Sequence, residues 1–287
     1  MTLSVVIITY NEEANLAPTL ESVKPLVSDG KGEIIVVDSG STDRTLEIAK
    51  SFGAKVFIEE WKGYAAQKNS SIDKATGDYI LSLDADEEVG SDLSAEIQEI
   101  LKSPPQEYKF RQTLPDGTSG RVFVNGFRLP RKNYFLGRWI KHGGFWPDQK
   151  LRLFRRGTGR FKDAAVHETL KVREYEKGGI SVLSKRLNGA LIHHSYPTLS
   201  DYIDHMNRYS SLGAEMVAAK GTVRFSVVNI LLRPLATFLY NYIFRLGFLD
   251  GREGLLLHLY HAVYVSWKYA KAWELSRKEK SPARMSS

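Results

Sequence analysis

Hydrophobic positions follow two rhythms along the first hundred residues. Leu3 to Thr9 (LSVVIIT), Glu33 to Asp38 (EIIVVD), Lys55 to Ile58 and Tyr79 to Leu83 are short apolar runs rich in β-branched side chains. That is the pattern of strands buried on both faces, and therefore parallel. Between them, Leu16, Leu20, Val23 and Val27 recur at helical spacing within Asn11 to Val27, and further helices are predicted over Arg44 to Phe52 and around Ala65 to Lys74. Ser41-Thr42-Asp43 supplies a cap for the second helix and Gly53 its stop. Strand and helix alternating this way predict βαβ units with right-handed crossovers, an α/β domain around a mostly parallel sheet. In such sheets ligands bind beyond the carboxyl ends of the strands.

Polar residues gather at those ends. Thr9-Tyr10-Asn11-Glu12 follows the first strand, Asp38-Ser39-Gly40-Ser41 the second, and Asp84-Ala85-Asp86-Glu87 the fourth. Side chains alternate along a strand, so Asp84 and Asp86 are expected on one side of the sheet edge. Carboxylates held that close repel each other unless a cation sits between them. Oxygen ligands favour a hard divalent ion, Mg²⁺ or Mn²⁺, which in turn clamps a diphosphate. An isolated D-x-D is as readily an acidic loop capping the next helix. Its company at the two other strand ends favours a site.

Tyr10 is suited to stack on a base, and Asp38 to accept hydrogen bonds from a base imide or from ribose hydroxyls. A strand-end tyrosine and a turn aspartate are also ordinary structural residues. Neither G-x-G-x-x-G nor G-x-x-x-x-G-K-[ST] occurs, which argues against a dinucleotide fold and a P-loop. VVIITYNEE, VVDSGSTDRT, GYAAQKN and GDYILSLDADE, in this order and spacing, resemble the GT-A catalytic domain of family 2 glycosyltransferases. The resemblance implies that Thr9, Tyr10, Asn11, Glu12 and Asp38 hold a uridine. Gln67, Lys68 and Asn69 would lie near the diphosphate or ribose, Asp84 near the donor sugar and ribose, and Asp86 would be the main metal ligand.

After Ile100 the pattern changes. Ser103-Pro104-Pro105 stops a helix, and Phe123 to Leu129 and Lys150 to Phe154 alternate as strands do. Between them, Asn133 to Asp148 carries Trp139 and Trp146 among Gly137, Gly143 and Gly144, a composition suited to stacking on sugar faces from a loop free to move. These tryptophans are the candidate acceptor contacts; the other reading tucks the loop onto the core. Arg131, Lys132, Arg138 and Lys141 around it suit an anionic acceptor. Sugar transfer to a hydroxyl needs a base, and Glu168 in Val166-His167-Glu168 is the candidate. The stretch KLRLFRRGTGRFKDAAVHE resembles that leading to a V-H-E signature in bacterial relatives, where the glutamate stands in place of the Asp of a Glu-Asp pair. In Ile192-His193-His194-Ser195-Tyr196, His193 is favoured over His194 as a further metal ligand or diphosphate contact, because the resembling sequences carry histidine there. Zinc is not indicated, since cysteine and H-E-x-x-H are both absent.

Charge is distributed unevenly. From Lys220 onward eleven basic side chains face four acidic ones, an excess of seven that equals the net charge of the whole chain, +7. The rest is balanced, which disfavours a nucleic-acid footprint on it. The same tail is apolar. A helix from Asp201 to about Lys220, capped by Ser200, precedes two apolar segments, Phe225 to Leu249 and Gly254 to Trp273. Asn229, Arg233, Thr237, Asn241 and Arg245 draw a polar stripe on the first segment; His258, His261, Lys268 and Lys271 share a face of the second. A mid-segment arginine costs roughly 2.5–3.5 kcal/mol on insertion scales, and Pro234 should break or kink the first helix. The pair therefore reads as a helical hairpin lying on an anionic membrane surface, with Arg277, Lys278, Lys280 and Arg284 adding attraction. Packing on protein is the alternative.

Together these readings predict a GT-A catalytic domain over 1–199 and a helical, basic, membrane-associating region over 200–287. The most specific resemblance, through VHE, IHHSY and GFLDG, is to bacterial lipopolysaccharide inner-core β-1,4-glucosyltransferases. It implies an inverting, metal-dependent hexosyltransferase using Mg²⁺ or Mn²⁺, a UDP-sugar donor and a lipid-linked saccharide acceptor. With Met1-Thr2 running straight into the first strand, no signal peptide is expected, and the enzyme is placed at the cytoplasmic face of the membrane. A polyprenyl phosphate acceptor, or a non-catalytic nucleotide-sugar-binding membrane scaffold, are the competing readings.

Overall fold

The computed structural model describes residues 1–102, 107–108, 122–162, 169–172, 175–176, 180–221 and 223–278. These divide into two compact units, the first drawn from 1–131, 149–164 and 168–193 and the second from 132–148 and 194–287. The division thus falls after His193 rather than after residue 199, and the loop bearing Trp139 and Trp146 goes with the C-terminal helices. Backbone bonds explain this. The Asp250 carboxylate accepts from the amides of Lys141 (3.2 Å) and His142 (2.8 Å), and Gly143 N donates to Arg245 O at 2.9 Å.

The first unit opens with β1 (Leu3–Thr9), α1 (Leu16–Val27), β2 (Gly32–Asp38), α2 (Thr45–Ser51), β3 (Lys55–Ile58), α3 (Tyr64–Asp73) and β4 (Tyr79–Leu83). β4, β1, β2 and β3 lie side by side in parallel, the first three buried on both faces as their apolar pattern predicts and β3 a largely exposed edge. Alternate side chains feed two cores. Val5, Ile7, Val36 and Leu81 meet Leu16 and Leu20 of α1, whereas Val6, Ile35, Val37 and Ile80 meet Ala65 and Ile72 of α3. α1 begins at Leu16, five residues later than its periodicity suggests, because Asn11 at φ 53° belongs to a loop.

Beyond β4 come β5 (Glu87–Val89), α4 (Ser91–Lys102), β6 (Glu107–Tyr108), β7 (Val122–Phe135), β8 (Arg138–Trp139), β9 (Asp148–Arg155), β10 (Gly159–Lys162), β11 (Thr169–Val172), β12 (Tyr175–Glu176), β13 (Ile180–Arg186) and β14 (Leu191–Tyr196). The main sheet runs β12-β13-β7-β9-β4-β1-β2-β3, with β9 antiparallel to β4. A short antiparallel pairing of β14 with β5 sets His193 opposite Glu87.

In the second unit α5 (Leu199–Ala218) is capped by Thr198, not Ser200: only Thr198 has an acid three residues on, Asp201, to return the bond and close a capping box. The expected first hairpin helix is a broken rod. It has a π turn (Val228–Leu232), α6 (Arg233–Leu239), a second π turn (Tyr240–Phe244) and a 3₁₀ turn (Gly247–Asp250) before α7 (Gly251–Lys278). Pro234, which lacks an N–H, enters α6 directly after the wide first turn. Lys268 and Lys271, on the basic face of α7, are half-buried against α5. Lys271 Nζ donates to Asn207 O at 2.8 Å and Ser210 Oγ at 2.7 Å, and Lys268 lies over Gly213. Of the polar stripe, Arg233 meets α7 through the Tyr269 hydroxyl, and Ser266 Oγ of α7 donates to Ile230 O at 2.9 Å. The outside is rich in apolar side chains, with Phe225, Leu231, Leu235, Ile243, Phe244 and Phe248 exposed. Among the described residues no helix is long and apolar enough to cross a membrane.

Candidate functional site

The carboxyl ends of β1, β2 and β4 bring three loops together in the first unit. Thr9 and Asp38 are ladder partners, and Thr9 Oγ1 donates to Asp38 Oδ1 at 2.8 Å. The other Asp38 oxygen accepts from Gly40 N (2.9 Å) and Ser41 N (2.8 Å), while the Ser41 hydroxyl shares the first. Its acceptor positions are filled by its own turn, so a ligand donor reaches Asp38 only by displacing a hydroxyl of Thr9 or Ser41. Asn11 staples this turn to the first loop: its Oδ1 accepts from Thr42 N at 2.8 Å and its N donates to Ser41 Oγ at 2.8 Å. Tyr10, between them, is exposed.

Glu12 stands at the head of α1, donating its N to Thr45 Oγ1 at 2.7 Å and accepting from Asn15 Nδ2 at 2.9 Å. Burial pushes its carboxyl up from the ordinary value; the Asn15 bond opposes this, and the negative charges of Asp86, Asp43 and Asp84 add to it. The first loop therefore lies within the electrostatic field of the acidic turn.

That turn departs from the sequence expectation. β4 ends at Leu83, and Asp84 to Asp86 form a turn closed by Glu87 N donating to Asp84 O at 3.2 Å and by Asp84 N donating to Glu87 Oε2 at 3.0 Å. Thr19 Oγ1 pins it to α1 through Ala85 O at 2.7 Å. The two aspartates therefore do not alternate along a strand, and each has its own partner. Asp84 Oδ1 meets Lys68 Nζ at 2.7 Å and its Oδ2 meets Arg152 Nη2. Arg152 also reaches Glu87 Oε1 at 2.9 Å, and Arg131 Nη1 reaches the same oxygen at 2.9 Å. Burial works against charge here, but Arg152 and then Lys68 outweigh it and hold the Asp84 carboxyl well below the usual carboxylate range. Burial likewise opposes the charge on Arg152, which Asp84 and Glu87 more than restore.

Asp86 Oδ2 lies 3.1 Å from His193 Nε2, because the β5–β14 pairing sets His193 beside the residue following Asp86. His194 goes elsewhere, its ring 5.4 Å from that of Tyr134. Among the described residues no group of three His, Cys, Asp or Glu side chains converges as a full metal cage. Asp86 and His193 do fit a hard divalent ion that keeps waters and shares a diphosphate, since such ions take few protein ligands.

α3 supplies two further candidates. Gln67 is fully buried and both ends of its carboxamide lack a hydrogen-bond partner among the described residues, an arrangement that costs free energy unless a ligand answers it. Lys68 is buried on Asp84. Asn69 serves structure instead, exchanging two 2.9 Å bonds with the backbone of Phe161.

Trp139 and Trp146 lie in the second unit, ring centroids 5.2 Å apart, with Lys132 Nζ 4.8 Å and Lys141 Nζ 4.4 Å from the Trp139 ring. Their loop is not slack. A Cβ on Gly143 would lie 2.0 Å from the His258 ring, so glycine there is a close-packing position. Glu168 lies outside the described residues.

Sequence reasoning missed Arg152, and it read Glu87 and Arg131 apart, the one in the acidic turn and the other beside the tryptophan loop, where the structure pairs them. A signal existed for Arg152: within KLRLFR it is in phase with buried Phe154, and a cation at a core position of a strand needs buried carboxylates.

A family model described as Glycosyl transferase family 2 matches residues 4–157. An uncharacterized glycosyltransferase of Rickettsia typhi is 30% identical over 281 residues, covering 97% of this chain and 89% of the relative. The lipopolysaccharide core biosynthesis glycosyltransferase LpsC of Rhizobium meliloti is 29% identical over 279 residues, 95% of this chain and 92% of LpsC. Among solved structures, S. aureus TarS 1–349 in complex with UDP aligns over 98% of this chain and 92% of its own, with a TM-score of 0.43 and 16% identity.

Proposed function

Because this chain belongs to glycosyl transferase family 2, and so is a glycosyltransferase with the α/β GT-A fold, we propose that it moves a hexose, glucose in our reading, from UDP to a saccharide of the lipopolysaccharide core or a related cell-envelope glycan. One observation carries the donor half: the loops after β1, β2 and β4 bring Tyr10, Asp38, Asp84 and Asp86 to one end of a parallel sheet, where Lys68 of α3 meets Asp84. The likeness to LpsC supports the acceptor half.

In this reaction the acceptor oxygen bonds to the anomeric carbon as the bond from that carbon to the diphosphate breaks, and the electron pair leaves with UDP. Glu168 takes the hydroxyl proton. A divalent ion on Asp86 and His193 would supply Lewis-acid stabilisation of the leaving diphosphate. Lys68, Arg131 and Arg152 against Asp84 and Glu87 leave one positive charge in excess on the same side of the sheet edge, aimed where negative charge grows. Trp139 and Trp146, with Lys132 and Lys141, are assigned to the acceptor.

The test is UDP release from UDP-glucose with Mn²⁺ or Mg²⁺, comparing heptose-containing core lipid with polyprenyl phosphate. Stimulation by the core lipid supports the reading; stimulation by polyprenyl phosphate alone reassigns the acceptor. Release with no UDP-sugar removes the donor. Glu168→Ala should lower transfer by about 10²–10⁴-fold, the range of general-base catalysis, with an unchanged melting curve. Near-normal turnover puts the base on another residue.

We also assign the outward apolar face of the second unit to a membrane surface. Phe244 is 76% exposed within a run of exposed apolar residues from Phe225 to Leu249, and exposed Arg224, Arg245 and Arg252 accompany it, as an interfacial helix requires. Leu231→Asp combined with Phe244→Asp should remove most co-sedimentation with anionic phospholipid vesicles and leave the melting temperature within a few degrees. Undiminished sedimentation of that variant would exclude this face.

A further inference from the structure

Three half-exposed aromatic rings stand at the carboxyl end of the parallel sheet: Tyr10 after β1, and Trp61 and Tyr64 after β3. Tyr10 belongs to the site described above; the other two have no assigned role. Ile58 is the ladder partner of Asp38, and Glu59 N donates to Asp38 O at 2.9 Å, so the chain leaves the sheet directly beside that carboxylate. The loop is then strapped to α3 at its root. The Glu59 carboxylate receives Lys74 Nζ, Ser70 Oγ at 2.7 Å and Lys62 Nζ at 3.0 Å, bonds from Lys74, Ser70 and Lys62 that hold its carboxyl down to about 2.

Gly63, at φ +90°, turns the chain into the helix, a conformation that L side chains avoid. Tyr64 opens α3 and Lys68 follows four residues later on the same helix face, reaching Asp84 Oδ1 at 2.7 Å. The segment Trp61 to Tyr64 therefore bridges the Asp38 corner of the crevice and the Asp84 corner. Its two rings meet edge to face with centroids 4.8 Å apart, and each is 50% exposed. A tryptophan fixed by a neighbouring ring, yet half in water, offers a preformed aromatic surface at little entropic cost.

We infer that Trp61, braced by Tyr64, stacks on the nucleobase of the nucleoside diphosphate that the site takes, opposite or beside Tyr10. The inference rests on the donor reading and adds a base-recognition residue to it. Every base presents a π face to such a surface, whereas pyrophosphate presents none, which separates this role from a structural one.

The experiment is calorimetric titration of the full chain with UDP and with pyrophosphate, both with Mn²⁺, for wild type, Trp61→Ala and Trp61→Phe. Trp61→Ala should raise the Kd for UDP about tenfold, the scale of one base–aromatic stack. It should leave pyrophosphate binding unchanged, and Trp61→Phe should recover most of the loss. If Trp61→Ala binds UDP within twofold of wild type, or loses UDP and pyrophosphate alike, the inference is overturned. Wild type that fails to bind UDP overturns the donor reading itself, and this assignment with it.

Discussion

Asp86→Ala should lower sugar transfer by about a thousandfold, the several kcal/mol that charge neutralisation of a leaving diphosphate supplies, while the protein stays folded. Asp86 is partly exposed, with 29% of its side chain in solvent and its Oδ2 3.1 Å from His193 Nε2. The turn it sits in is held by other groups: the reciprocal bonds of Asp84 and Glu87 and the Thr19 hydroxyl on Ala85 O. Its loss therefore removes an anionic ligand without unlocking the backbone. His193→Ala should act in the same direction but more weakly, since a neutral imidazole contributes less to holding a hard ion than a carboxylate does. Initial rates across a Mn²⁺ titration, paired with thermal melts, measure both. Asp86→Ala turnover within tenfold of wild type at saturating Mn²⁺ would remove Asp86 from the centre of the mechanism.

Asp84 and Asp86 also mark how far the sequence could be read. Three of the four parallel strands, β1, β2 and β4, were legible because burial on both faces leaves each one an unbroken apolar run such as LSVVIIT, whereas β3 is a largely exposed edge strand marked only by its short apolar stretch. The gathering of the loops after β1, β2 and β4 at one end of the sheet followed, since residues at the carboxyl ends of parallel strands have one place to go. Pairing within the site was not legible. Arg152 is 68 residues from Asp84 in sequence, and no local pattern announces an ion pair across that distance. The tail misled for a related reason. Composition shows that a helix has an apolar and a polar face but not which one meets protein. Here Lys271 and Arg233 turn toward neighbouring helices, and Leu231 and Phe244 turn away. Thr198, by contrast, was readable, since its partner Asp201 completes a box that Ser200 cannot form.

Replacing Arg152 carries the largest expected loss of stability. Its side chain is 7% exposed and bridges Asp84 and Glu87, the latter fully buried. Arg152→Ala leaves Asp84 with Lys68 and Glu87 with Arg131, one cation to each carboxylate, and removes the guanidinium that joins the two pairs beside the fully buried Glu87. Losing one partner of a buried charge cluster typically costs about 3–5 kcal/mol, and the remaining Lys68 and Arg131 keep the loss near the lower end of that range. For a chain of this size that corresponds to a fall in Tm of roughly 10 °C. The pH dependence has a definite sign. The Asp84 carboxyl is depressed in the folded protein, so its ionisation stabilises the fold above the unfolded carboxylate value, about 3.9, and that contribution fades as pH falls through the lower folded value. Without Arg152 the folded value rises toward the unfolded one, this linkage is lost, and the acid limb of the Tm–pH profile should flatten. Arg152→Lys keeps a charge but not the two-pronged reach of a guanidinium and should fall between. Melts from pH 7 to pH 3 test both halves: an Arg152→Ala protein that melts within a few degrees of wild type, with the same acid limb, would show that the buried cluster does not depend on this arginine.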